Sequence, residues 1–182
     1  MNAMRLSLRC TVAALLLALS APASAAPAET SLPSVKAAFA FNFIKLTAWP
    51  DTRFASAGAP LQVCVIRGDL MEETLRSSLA GKLAGTRTVA VQTVVPDDAF
   101  SSCHALYLGT LLAPRYTTLM SRAVARGVLI IDEGPNFSWP DGMIRLFTEQ
   151  SRMRFELNLE ALERAGLKVD PRLIRLARIA TR

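Results

Sequence analysis

The sequence predicts an α/β fold: a three-layer domain with a mostly parallel sheet, helices on both faces and an antiparallel edge hairpin. Three observations predict it. Strand-like apolar runs alternate with helix-period segments in the order strand, helix, strand, strand, helix, strand. The run from Gly127 to Asp132 is apolar through its middle, the pattern of a parallel strand covered on both faces. Two late runs, Met143 to Thr148 and Met153 to Leu157, are separated only by the turn from Glu149 to Arg152, close enough to pair antiparallel.

Each element has a local reason. Leu32 to Trp49 reads as a helix, with Ser31 or Ser34 as cap, Pro33 in the first turn, and Val35, Ala38, Phe39, Asn42, Phe43 and Leu46 at helical spacing. Pro50 is expected to end it. Leu61 to Arg67 is the first strand, turned by Gly68, and Asp69 is placed to cap a helix from Leu70 to about Leu83. A β-branched strand from Thr88 to Val95 closes at Pro96-Asp97. Another strand runs from His104 to Leu108, followed by a helix from Pro114 to Arg126. Gly134 to Pro140 is turn-rich. After the late hairpin come a helix from Leu159 to Ala165, capped by Gly166, and a last helix opened by Pro171 and running to Arg178.

The chain start fixes the expected compartment. Arg5 and Arg9 precede an apolar run from Thr11 to Leu19, and Ala23-Ser24-Ala25 is a small-residue cleavage pattern. Residues 1–25 are therefore expected to be a cleaved signal peptide, with cleavage after Ala25 or Ala26. The apolar run is short of the ~20 residues a membrane span needs. Residues 26–31 read as a flexible leader and residues 32–182 as one domain. Cys10 precedes the apolar run, which argues against a lipoprotein. Losing Arg5 and Arg9 lowers the formal charge from +6 to +4. That modest excess, on an exported chain, argues against a nucleic-acid partner.

Cleavage would leave Cys64 and Cys103 in an oxidising compartment. Each sits in or beside a strand-like run, so a disulfide and a pair of buried thiols both fit. A metal site does not follow, since His104 is the only histidine. No cofactor motif appears: there is no Gly-rich dinucleotide loop, no phosphate loop and no serine elbow. Asp132 and Glu133 are adjacent on a strand end and point to opposite faces, which makes them a poor acid–base pair. His104 lacks a nucleophile or carboxylate that the sequence places beside it. We therefore expect no catalysis. Phe41 and Trp49 widen the first helix beyond one core stripe and are candidates for an interface. Arg145, Arg152 and Arg154 alternate on the late strands, a candidate basic stripe for an acidic partner or a small anion such as a nucleotide.

The run Val35-Lys-Ala-Ala-Phe-Ala-Phe-Asn-Phe-Ile-Lys-Leu-Thr-Ala-Trp49-Pro50 resembles the opening signature of the YfiR-like periplasmic family. Further matches follow in order: Cys64-Val-Ile-Arg-Gly68, Cys103-His104, Gly142-Met143-Ile144, Arg154-Phe-Glu-Leu-Asn158, Ala165-Gly166-Leu167-Lys168 and Leu173-Ile174-Arg175-Leu176-Ala177. The resemblance runs from about Val35 to Ile179. It implies a periplasmic repressor that binds the periplasmic sensory domain of an inner-membrane diguanylate cyclase and lowers cyclic di-GMP synthesis, with biofilm and exopolysaccharide downstream. It implies a sequestering outer-membrane lipoprotein as a second partner. A homodimer and a small anionic ligand are further expected partners. The family disulfide carries over onto Cys64 and Cys103. Three departures stand out: Phe41 replaces a frequent Tyr, Asp141 replaces the first glycine of a Gly-Gly-Met-Ile pattern, and the loop from Gly134 to Gly142 lacks a second cysteine pair.

Overall fold

Ser31 opens the first helix: its side-chain oxygen accepts from the backbone N–H of Ser34, and Pro33 occupies the first turn. A computed structural model describes residues 31–95, 100–109, 117–134 and 141–180. The expected signal peptide, nearly all of the leader, the turn at residues 96–97, the helix start at residue 114 and loop residues 135–140 lie outside the described residues.

In chain order the elements are α1 (Leu32–Lys45), β1 (Thr47–Ala48), a 3-10 turn (Asp51–Arg53), β2 (Leu61–Ile66), α2 (Glu72–Leu79), β3 (Leu83–Ala84), β4 (Arg87–Val94), β5 (Ala105–Leu108), α3 (Thr117–Ala125), β6 (Leu129–Asp132), β7 (Ile144–Glu149), β8 (Arg152–Leu157), α4 (Leu159–Arg164), β9 (Lys168–Val169), α5 (Pro171–Leu176) and β10 (Arg178–Ile179). Eight strands form one sheet in the order β10-β8-β7-β6-β5-β2-β4-β3, and β1 pairs with β9 in a separate two-stranded ribbon. The central pairings β4-β2, β2-β5, β5-β6 and β6-β7 are parallel. The chain winds from β2 outward to β4, returns to β5, then winds the other way to β6. Right-handed crossovers therefore put α2 and α3 on opposite faces, and α1 joins α2 while α4 joins α3. This is the expected three-layer α/β arrangement.

The late hairpin pairs antiparallel, with Arg145 opposite Glu156 and Phe147 opposite Arg154. It lies one strand inside the sheet's end, because β10 adds in parallel outside β8. Arg178, expected as the end of a helix, is drawn with Ile179 into this ladder, and α5 stops at Leu176. In the same way Thr47 and Ala48, expected to be helical, pair with Val169 and Lys168, so α1 ends at Lys45 before Pro50 is reached. Short edge ladders of this kind carry no hydrophobic period and leave no mark in the sequence.

The core lies on both faces of the central strands. Cys64, Val65, Leu106, Tyr107, Leu129, Ile130, Ile131 and Ile144 are all sealed from solvent. α1 buries Ala37, Ala40, Phe43 and Ile44, not the stripe through Ala38 and Asn42, both of which are exposed. The two alanines let the helix approach closely, and Phe43 then packs on Phe155 of β8 at 4.9 Å between ring centroids.

Gln150 and Ser151 form the two-residue turn of the hairpin, with φ of 49° and 59°. Left-handed backbone at both positions matches the twist of the strands but strains residues that carry a Cβ. Ser151→Gly is expected to stabilise the protein by about 1 kcal/mol in denaturant unfolding, without affecting binding.

Candidate functional site

Cys64 lies within β2 and Cys103 immediately precedes β5, its neighbour in the sheet. They form a disulfide with 5.7 Å between Cα atoms. Both residues are fully buried. Gln92 of β4 covers the bridge, its Nε2 lying 3.1 Å from the Cys64 sulfur. A bridge sealed in this way from solvent thiols is a staple, not an exposed redox switch.

The antiparallel register puts Arg145, Arg152 and Arg154 on one face of β7 and β8. That face also holds Phe147, Glu149 and Glu156, and β10 sets Arg178 beside Glu156. The result is a mixed-charge ladder. Arg145 donates through Nε and Nη2 to Glu156 Oε2, at 3.0 and 2.7 Å. Arg178 donates through Nη2 to Glu149 at 2.7 Å and approaches Glu156 Oε1 at 3.4 Å through Nη1. The Arg178 hydrogen bond holds the Glu149 carboxyl below its usual range. Guanidinium groups of Arg145 and Arg178 lie over the Phe147 ring, at 4.6 and 4.9 Å from its centroid. Arg145 and Glu156 are buried, while Arg152 and Arg154 are exposed. The accessible charge of this face is thus set by Arg152, Arg154 and the exposed Arg178–Glu149 pair.

Phe41 and Trp49 lie elsewhere. Both are half-buried and pack on the core. Lys82 stands 5.0 Å over the Phe41 ring, and the Trp49 indole donates to the His104 carbonyl at 2.9 Å. The structure therefore does not bring these aromatics together with the arginines. Phe41 lies beside the β3 end of the sheet and the arginines lie at the β10 end.

A third region is the carboxyl end of the strands, where ligands bind in doubly wound folds. The point where the winding reverses lies between β2 and β5. It is closed by Asp69, whose carboxylate accepts from the backbone N–H of Gly109 and of Met71, both at 2.8 Å. A Cβ on Gly109 would lie only 2.5 Å from that carboxylate, which is why glycine stands there. Next to it, Glu133 accepts from Tyr107 and from Lys36 of α1. Burial, and then the Glu133 charge, push the Tyr107 hydroxyl well above its ordinary value. Asp132 faces the other way, toward Arg145. Its Oδ1 accepts from Gly134 N–H, while its Oδ2 is buried with no partner. Burial raises its carboxyl to about 7.

A cleft of about 390 Å³ opens beside this cluster, lined by Lys36, Glu133, Arg145, Phe147 and Met153 among others. Among the described residues, no group of His, Cys, Asp and Glu side chains has the arrangement to hold a metal ion. Asp132 and Glu133 thus point to opposite faces of the sheet, Asp132 toward Arg145 and Glu133 toward Tyr107 and Lys36.

Sequence reasoning did not single out Lys36, Tyr107, Phe147, Glu156 or Arg178. Phe147, Glu149 and Glu156 were findable, since alternation places them on the arginine face once the hairpin is paired. The contact of Lys36 with Glu133 spans 97 residues and has no local signal.

Among the described residues, no helix is long and apolar enough to cross a membrane. The family model for YfiR/HmsC-like proteins matches residues 33–178. That match spans most of the 182 residues and nearly every element of the sheet. With its doubly wound sheet, its buried Cys64–Cys103 staple and this match, the chain belongs to the YfiR/HmsC-like family of periplasmic regulatory proteins.

Proposed function

We propose that this protein is exported by a signal peptide cleaved near Ala25 and acts in the periplasm as a repressor of an inner-membrane diguanylate cyclase. It binds the cyclase's periplasmic sensory domain and lowers cyclic di-GMP synthesis, and with it biofilm and exopolysaccharide. The family match over residues 33–178 carries this reading. Repression by binding requires that the protein favour the inactive cyclase over the active one. An outer-membrane lipoprotein that sequesters the repressor would release the enzyme by the same linkage. The Cys64–Cys103 staple supports function outside the cytoplasm, where such bridges persist.

For the binding face we propose the mixed-charge ladder. Arg152 and Arg154 are exposed there, next to a Phe147 ring flanked by guanidinium groups. Aromatic and arginine side chains are the groups most often found at interface centres. Phe41 and Trp49 offer a second, smaller aromatic surface.

Binding of a small anionic ligand is the second reading. It rests on Lys36 and Arg145 in the 390 Å³ cleft. Both cations already serve carboxylates, Glu133 and Glu156. An anion would have to compete with these pairs, which favours the protein-binding reading.

Capture of partners from native membranes on the immobilised, disulfide-intact protein tests the proposal. Recovery of a diguanylate cyclase is expected. The double reversal Arg152→Glu/Arg154→Glu should weaken that capture at least 10-fold and raise cellular cyclic di-GMP. Capture of no cyclase, or a reversal variant that binds and represses like the parent, overturns the repressor or the assigned face respectively.

A further inference from the structure

The segment of residues 49–60, between β1 and β2, crosses the amino end of the sheet with only the 3-10 turn Asp51–Arg53 as regular structure. Four side chains hold it to the sheet: the Trp49 indole donates to the His104 carbonyl at 2.9 Å, and Arg53, Phe54 and Arg87 add the rest. Arg53 donates to the Cys103 carbonyl at 2.7 Å. Arg87 donates to the carbonyls of Ser56, Ala57 and Ala59 at 3.0, 3.0 and 2.9 Å. The Phe54 ring is sandwiched, with the His104 imidazole stacked on it at 4.3 Å and the Arg87 guanidinium over it at 3.6 Å.

His104 is the chain's single histidine and is buried. Its Nδ1 accepts from the backbone N–H of Gln62 at 3.0 Å, and its Nε2 lies 3.1 Å from the Arg53 carbonyl. A backbone N–H can only donate and a carbonyl can only accept. The two partners therefore fix one tautomer: a bare Nδ1 and a proton on Nε2, which bonds the crossing segment. A second proton has one place to go, Nδ1, where it meets the Gln62 N–H donor to donor. Turning the ring gives no relief, since an imidazolium offers Gln62 no acceptor in any orientation.

We propose that His104 is an acid-sensitive latch: neutral, it holds residues 49–60 across the amino end of the sheet, and protonated, it lets them go. The surroundings favour the neutral ring. Burial lowers its basicity, and the charges acting on it are the guanidiniums of Arg53 and Arg87, with Arg126 in turn beside Arg53. Against these, the bond to the Arg53 carbonyl favours the cation. Because the folded value lies below the unfolded value of 6.5, the latch contributes fully above that pH and is lost as pH falls below it. Release uncovers Phe54, frees the Arg53 carbonyl and changes the surface around Trp49. This inference does not depend on the cyclase reading.

The test uses the whole, disulfide-intact protein. One histidine gives one set of imidazole nitrogen resonances, so its tautomer and titration can be read directly by NMR. Amide hydrogen exchange over residues 49–62, corrected for intrinsic rates, reports the crossing segment. The expected result is a bare Nδ1 at pH 7.5, a midpoint below 6.5, and at least a 10-fold loss of protection in residues 49–62 at that midpoint while β6 stays protected. His104→Asn puts an uncharged oxygen where Nδ1 was and should make that protection independent of pH. The inference is overturned if His104 titrates with residues 49–62 unchanged, if β6 opens at the same midpoint, or if His104→Asn opens on acidification like the parent. The wild-type measurements decide the matter even where that variant does not fold.

Discussion

Replacing Cys64 and Cys103 together by alanine is expected to cost about 4 kcal/mol of stability and to lower the melting temperature by on the order of 10 °C. The bridge closes a loop of 39 residues, and the chain-entropy model gives about 4 kcal/mol for that length. The position adds to the effect. β2 and β5 are neighbours at the centre of the sheet, and the loop between them contains all of α2, β3 and β4. Without the bridge the unfolded chain gains the freedom of that whole unit. Because both cysteines are sealed, the bridge should resist mild reductant in the folded protein and be reduced only when the protein opens. Thermal unfolding of the alanine pair against the parent checks the magnitude, and thiol labelling under native conditions checks the shielding. An unchanged melting temperature would mean that the staple contributes little to the fold.

Asp132→Asn is expected to act in the opposite direction, and only above mildly acidic pH. The Asp132 carboxyl is buried, with one oxygen unpartnered, and burial raises it from 3.8 to about 7. The nearby charges of Glu133 and Glu156 push the same way, against Arg145 and the Gly134 N–H. Between pH 4 and 7 the folded state therefore holds a proton that the unfolded state has released. Stability is full below 3.8 and falls as pH rises toward 7, by as much as about 4 kcal/mol. Asparagine keeps an oxygen for the Gly134 N–H and cannot ionise. The variant should match the parent near pH 4 and exceed it by a few kcal/mol at pH 8. Denaturant unfolding across that range gives the two curves, and parallel curves would show that Asp132 is not the source of the slope. Asp132 and His104 thus give opposite pH trends from opposite ends of the same sheet.

The parts of this fold that the sequence shows are those with a repeating physical cause. The sealed run through Ile130, the helical start at Ser31-Leu-Pro33 and the paired alternation on either side of Gln150-Ser151 are each written in neighbouring residues. So is the family signature from Val35 to Pro50, and with it the class of regulator. The cysteine pair was legible as an even count beside two strands. Tertiary structure decided what depends on contacts between distant residues. Two-residue ladders at Thr47 and Arg178 overrode helical expectation, because pairing with Val169 and Glu156 satisfies backbone groups that a helix end would leave bare. Arg145 reads in the sequence as one more surface arginine. Only the pairing of β7 with β8 shows it buried against Glu156, so that the basic stripe becomes a ladder of alternating charge. The proton state of His104 depends on Gln62 and Arg53, 42 and 51 residues away in the chain. Local sequence marks the longer helices and strands. It cannot fix the company a polar side chain keeps, because that is set by which strands lie side by side.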